Sequence, residues 1–328
     1  MNRRAAGLAA LVIITALIAL LRLLVDRDPY AGLSLAWPDE SYAVFRWTSV
    51  LAGFAIGASL AVSGVLLQAL LRNPLASPFI LGVSSGAGLG VMTAMAIGAY
   101  AGVESLRRGT NAGPALLGAL AVLGIVYVLG RRKGLLDPLS LVLVGVVIAA
   151  MCGAITMFLQ RVVPEGVRSD FVLWMMGRVP QGIEFRPLAM AVSVMLAGTF
   201  IAASLGRAMD AATLGDDEAR SIGLAIGPLR GGVFVLAGAL AAMSVALAGP
   251  IAFVGLISPH AARIVVGPRH TILVPAAALI GASLIIGADA ASQAIEFGAG
   301  RMPVGVFTAL LGGPVFIWLL KHRDIVQT

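Results

Sequence analysis

The residues able to do chemistry in this chain are few and scattered. Acids and a base fall close together in R-A-M-D-A-A-T-L-G-D-D-E-A-R-S-I-G-L-A-I-G-P over residues 207–228, where Asp216, Asp217, Glu218 and Arg220 are near neighbours. Acids in the first turn of a short helix suit the positive end of its dipole, and Gly223 is a natural stop. On the residues alone, this stretch is either a docking element or a solvated connection. Asp289 stands by itself in an apolar run, with Glu296 close to the run's end. A lone carboxylate in such a run either couples transport to protons or is capped by a neighbouring helix. His260, His270 and His322 lie far apart, and no H-x-x-x-H, H-E-x-x-H or G-x-S-x-G occurs. The lysines are Lys133 and Lys321, and neither sits in G-x-x-x-x-G-K-[ST], so the chain has no phosphate-binding loop with which to hydrolyse ATP. Cys152 is the single cysteine, which excludes an internal disulfide and a cysteine metal cluster.

The elements that must position these residues are written in the composition. Of 328 residues, 59% are hydrophobic and 12% charged, against about 25% charged in soluble domains. So little charge cannot cover a soluble core of this size, so the chain reads as a polytopic membrane protein. Apolar runs recur without strand alternation, which predicts helices rather than a barrel. The expected helices cover about 5–25, 50–71, 77–100, 113–130, 138–160, 187–206, 229–248, 251–267, 271–291 and 303–320. Residues 26–46 read as an external loop. Residues 161–186, with Arg161, Arg168, Arg178 and Arg186, read as an external segment, and 207–228 as a cytoplasmic one. Pro250 and Pro259 predict that the eighth helix is bent or broken. The net charge of +7 does not point to nucleic acid, because the arginines sit at the ends of apolar runs, as membrane topology requires. The cluster Arg131-Arg132-Lys133 marks a cytoplasmic end, and ten helices would place both termini in the cytoplasm. The long first run lacks a small-residue cleavage site and reads as a retained helix.

A polar corner, Arg72-Asn73-Pro74, joins the second and third helices. Pro78, Gly82, Gly86, Gly88 and Gly90 follow it. We assign this corner, with Gly82, Gly86, Pro250 and Pro259, to turning and close packing of helices. With few charges inside the bundle, an energy source in a partner fits better than ion coupling, although a secondary carrier using Asp289 remains the rival.

Several stretches together resemble one family. They are G-A-S-L-A-V-S-G-V-L-L-Q-A-L-L-R-N-P-L-A-S-P-F-I-L-G-V-S-S-G-A from Gly57, L-G-D-D-E-A-R-S-I-G from Leu214, A-G-P-I-A-F-V-G-L-I-S-P-H-A-A-R from Ala248, and M-P-V-G-V-F-T-A-L-L-G-G-P-V-F-I-W-L-L from Met302. The chain resembles the FecCD family, the membrane permeases of iron-chelate, haem and cobalamin ABC importers. The resemblance implies an all-α, ten-helix type II importer permease in the cytoplasmic (inner) membrane. It implies pairing with a second permease subunit, identical or different, around a central pathway. Two cytoplasmic ABC ATPases that bind ATP and magnesium would drive it, and an extracytoplasmic substrate-binding protein would feed it. The chain itself would hold no cofactor and do no catalysis. Iron–siderophore is the first cargo it implies, with haem, cobalamin or an oxyanion as alternatives.

By the same resemblance Leu214, Gly215, Asp216, Asp217, Glu218, Ala219, Arg220 and Gly223 form the segment that couples to the ATPase. The family commonly carries R-L-P-R before its second helix and E-L-P-V-G before its tenth. This chain reads Arg46-Trp47-Thr48-Ser49 and Arg301-Met302-Pro303-Val304-Gly305 instead. Arg46 and Arg301 are therefore the expected contacts for the binding protein on an altered external face.

Overall fold

The computed structural model describes residues 3–28, 32–108, 111–132, 134–297 and 300–321. Met1, Lys133, His322 and Arg323 lie outside them, as does the side chain of Glu296. The chain runs through α1 (Arg3–Leu24), α2 (Glu40–Leu70), a 3-10 turn (Pro78–Leu81), α3 (Val83–Ala101), α4 (Glu104–Arg108), α5 (Ala112–Leu129), α6 (Pro138–Val162) and α7 (Glu165–Met175). It continues through α8 (Phe185–Ser204), α9 (Gly206–Ala212), α10 (Asp216–Ser221), α11 (Ile226–Ala248), α12 (Val254–Val266), α13 (His270–Ala294) and α14 (Val304–Lys321). The strands among the described residues are three short antiparallel pairs in connections. Among the described residues, eight helices are long and apolar enough to cross a bilayer, and α12 and α14 are shorter apolar companions. The protein is thus an all-helical membrane bundle, as its apolar runs require.

The bundle is built around α2, which packs against α13, α11, α12 and α8. The apolar window of α2 is 89% buried, against 22% for α6, so α2 is the axis and α6 a peripheral helix. Small residues make this possible. A Cβ on Gly57 would lie 2.2 Å from the carbonyl oxygen of Gly281 on α13, and one on Gly64 1.8 Å from that of Gly255 on α12. In the neighbouring pair, a Cβ on Gly86 of α3 would lie 2.6 Å from the carbonyl oxygen of Gly118 on α5. Backbones meet directly at these points, which is how membrane helices associate without a hydrophobic driving force between them.

Four local expectations change. Helix α2 starts at Glu40 rather than near 50 and runs 31 residues, about 46 Å at ~1.5 Å per residue. The apolar run marks only its membrane portion; Glu40 in its first turn suits the helix dipole. The third helix does not start at Ser77. The Ser77 hydroxyl caps a 3-10 turn by accepting from the Phe79 N–H, and left-handed Gly82 (φ 76°) separates that turn from α3. The external segment 161–186 contains α7, whose buried residues are Val167 and Phe171, a stripe too sparse to stand out in sequence.

The fourth change concerns α12, which is helical straight through Pro259. The break falls before it, at 249–253, where Gly249 (φ 72°) and Pro250 end α11 and Phe253 takes φ 68°. Pro259 cannot donate to the carbonyl of Gly255. That carbonyl is instead pressed against Gly64 of α2, where a continuing helix needs no room for a bond. Non-helical backbone at membrane depth survives only where protein satisfies it. Here the Arg178 N–H donates to the Ala248 carbonyl (2.7 Å) and the Gly305 N–H to that of Gly177 (3.1 Å). Phe253 itself packs on Phe316, with ring centroids 6.5 Å apart.

Candidate coupling segment and its anchors

Between α8 and α11 the chain leaves the bundle and forms α9 and α10. Helix α9 lies on the start of α13, close enough that a Cβ on Gly206 would be 2.6 Å from the Thr271 nitrogen. Asp210 fixes this contact: its Oδ1 accepts from the His270 N–H (3.1 Å) and pairs with His270 Nδ1 (2.6 Å). Thr213 then donates its hydroxyl to the Asp210 carbonyl (2.6 Å), and the chain turns at Gly215 into α10. Gly215 has φ 141°, a backbone conformation that side chains rarely adopt, so this turn favours glycine.

The acids of α10 have different neighbours. Asp216 faces the bundle and binds two guanidinium groups through Oδ1, from Arg72 Nη2 (2.5 Å) and Arg230 Nη2 (2.9 Å). Arg72 also donates to the Ala212 carbonyl (2.8 Å), and Arg230 donates to the Leu136 carbonyl (3.4 Å). One carboxylate thus ties α10 to the α2–α3 corner, to α11, and through Arg230 to the turn before α6. The corner is shaped for this. Arg72 takes φ 47°, unusual for a non-glycine residue, and the Asn73 side chain accepts from the Leu75 N–H (2.9 Å) to hold the turn ahead of Pro74. The corner is therefore an anchor of α10 as well as a packing element.

Asp217, by contrast, is 95% exposed and meets only Arg220, at 3.8 Å. Glu218 is also exposed, while Ala219 is fully buried beneath them. Leu214 is 71% and Ile222 66% exposed on the same segment, an apolar pair flanking the charges. Gly223 follows with φ 83°, the left-handed stop expected of it. This surface is tied to the bundle through Asp216, with exposed charges at its centre and exposed apolar side chains at its edges.

At the opposite end of the bundle, Arg46 and Arg301 differ. Arg46 is buried: it donates through Nη1 to the Leu23 carbonyl (2.8 Å) and pairs with Asp26 (2.5 Å). It clamps α2 to the end of α1, and its guanidinium is engaged there. Arg301 is exposed, with Nη1 3.4 Å from Gln181 Oε1. Arg178 and Arg186, also exposed, lie on the segment beside it. Deeper down, the Asp289 carboxylate pairs with the buried Arg22 of α1. Its charge is matched inside the protein by Arg22, the capped arrangement of the two expected for it.

Residues 7–322 match the FecCD transport family. The chain belongs to that family. It is 35% identical to the cobalamin import system permease protein of Halobacterium salinarum, over 90% of this chain and 78% of that one. It is 36% identical to the hemin transport system permease protein of Yersinia pestis, over 85% and 83% of the two chains. It is 35% identical to the Fe(3+) dicitrate transport system permease protein of Escherichia coli, over 89% and 90%. A solved structure described as an inward-facing conformation of a metal-chelate type ABC transporter superposes with a TM-score of 0.84 at 29% identity, covering 97% of this chain and 99% of that one.

In this FecCD-family chain, sequence reasoning missed three participants. Arg230 sits in the first turn of an apolar helix and resembles any topology marker. Ile222 is one more apolar residue among many. The Asp210/His270 pair joins positions 60 residues apart, and no local pattern signals it.

Proposed function

We propose that the chain is the permease subunit of an ATP-driven importer for a bulky metal chelate. The carrying observation is α10: it is locked to the bundle through Asp216 and presents Leu214, Asp217, Glu218, Arg220 and Ile222 outward, on a chain that matches the transport family nearly end to end. In this reading α10 faces the cytoplasm and both termini lie there. A pair of ATPases receives one such segment from each of two permease subunits, and a binding protein docks on the opposite face around Arg301, Arg178 and Arg186. ATP binding in the partners favours one permease conformation over another. The permease transmits that preference through Asp216 and its two arginines, and supplies no chemistry of its own.

For cargo, the three named relatives share a metal held by an organic chelator. Two of them are named for iron compounds, so a ferric chelate of the siderophore class is the first to test. The experiment is uptake of a radiolabelled ferric chelate into vesicles reconstituted with permease, ATPase and binding protein. We expect uptake that requires ATP and all three components and is unaffected by an ionophore. Uptake that persists without the ATPase, and collapses with an ionophore, would overturn the reading.

A further inference from the structure

Helix α2 is longer than the crossing of a bilayer core requires. Its 31 residues span about 46 Å, against about 30 Å for the hydrocarbon core and about 40–45 Å with both head-group layers. Counted back from Leu70 at the polar corner, the ~20 residues that cross the core end at about Leu51. The turns from Glu40 to Val50 therefore lie beyond the core, at the end of the bundle that carries Arg46. Two sides of these turns are covered. Arg46, Ser49 and Val50 are buried, and Val50 clusters with Leu23, Ala282 and Ile286. Arg46 also holds the hairpin of Val25–Asp28 and Gly32–Leu35 in place, pairing with Asp26 and donating to the Ala36 carbonyl (3.3 Å). On another side the Gly182 N–H donates to the Thr48 hydroxyl (3.1 Å). The remaining side is open: Val44, Trp47 and Leu51, spaced as one face of a helix, are 63%, 46% and 45% exposed.

One turn before Val44 on this face stands Glu40, also exposed. The stripe thus runs from a charge, through Val44 and a tryptophan, to a leucine at the edge of the core. An indole has an apolar body and a polar N–H, which suits the boundary between head groups and acyl chains. On the hairpin and its continuation, the alternate residues Leu33, Leu35 and Trp37 are exposed as well. So are Leu17, Leu20 and Leu21 of α1, the helix that leads into the hairpin, so the open apolar surface continues toward the core.

We propose that this surface is seated in the phospholipid head-group layer, with Trp47 at the boundary to the acyl chains and Trp37 in the same layer. A protein partner fits the stripe less well: protein interfaces have an apolar centre within a polar rim, whereas polarity here changes in one direction along α2, as it does with depth in a bilayer. No charge on the stripe between Val44 and Leu51 selects a particular head group. The seat follows from the spanning of a membrane and does not depend on the transport reading. It fixes the depth of α2, the helix around which the bundle is built.

The test uses the full-length permease in phosphatidylcholine vesicles carrying lipid spin-labelled on the head group or at the end of the acyl chain. The chain has four tryptophans, Trp37, Trp47, Trp174 and Trp318, so Trp47→Phe and Trp37→Phe, each subtracted from the wild type, isolate single indoles. The Trp47 component should be lost to the head-group label more than to the chain-end label and be spared by aqueous iodide, and the Trp37 component should show the same order of the two labels. A Trp47 component quenched by iodide and by neither lipid label stands in water; one spared by all three is covered by protein, a second copy included. Either result overturns the proposal. Should Trp47→Phe fail to fold, a spin label on Leu51→Cys gives an independent reading, since Leu51 is exposed and the native Cys152 is buried. That label should be more accessible to oxygen than to a water-soluble nickel complex, and the reverse order overturns the proposal.

Discussion

Asp216 and Asp217 are adjacent acids that the fold puts to opposite uses. Asp216 is an internal anchor shared by Arg72 and Arg230, while Asp217 stands almost entirely in solvent. Nothing in D-D-E separates them, because the difference is made by arginines 144 positions before and 14 positions after. Asp216→Asn keeps the shape and removes the charge that two guanidinium groups share. Exposed pairs contribute little and charge-assisted bonds more, so the expected loss is about 1–2 kcal/mol. A thermal unfolding series in detergent checks this, and the Asp216→Asn/Arg230→Gln double variant should lose less than the sum of the singles. Additive losses would mean that the pair is not coupled. Arg46 shows the same limit of sequence from the other side. Its family position suggests a docking residue, and its guanidinium is engaged by Leu23 and Asp26, partners that only the folded hairpin brings near.

At the scale of elements, the long apolar spans were legible because a bilayer demands length and hydrophobicity, both of which are local properties of sequence. What was not legible lay outside the bilayer or within its protein interior. The first turns of α2 are polar and aromatic, α7 buries only Val167 and Phe171, and the carbonyl of Ala248, just before the break at 249–253, accepts from the N–H of Arg178, distant in the chain. The start of α6 illustrates a signal that is local. Asp137 caps it by accepting from the Ser140 hydroxyl (2.6 Å) and the Ser140 N–H (2.8 Å). Those bonds, the hydroxyl's above all, hold the Asp137 carboxyl below its usual range. A carboxyl that titrates lower when folded stabilises the fold above its unfolded pKa of about 3.9, and this contribution fades as pH falls through the lower folded value. Asp137→Ala should therefore cost about 1 kcal/mol at neutral pH. The melting difference from wild type should shrink below about pH 4, where the unfolded carboxyl begins to hold its proton. A difference that is constant with pH would show that the charge plays no part in the cap.

For the whole molecule, the bundle is organised around the buried helix α2. Backbones meet directly at Gly57, Gly64 and Gly86, and Asp216 ties α10 to the α2–α3 corner and to α11. Composition and the family motifs made the class of protein readable. The assembly of anchors behind the coupling segment was not readable, because it joins the α2–α3 corner, the turn before α6, α9, α11 and α13, which are dispersed along the chain.

The central claim is that α10 transmits the work of an ATPase into this bundle, and simultaneous measurement of ATP hydrolysis and chelate uptake in reconstituted vesicles tests it most directly. In Asp217→Lys/Glu218→Lys, with the anchor Asp216 intact, hydrolysis should continue while uptake per ATP falls by about tenfold or more, the scale of a typical coupling free energy. Uptake per ATP equal to that of the wild type, with the ATPase still bound, would contradict the account.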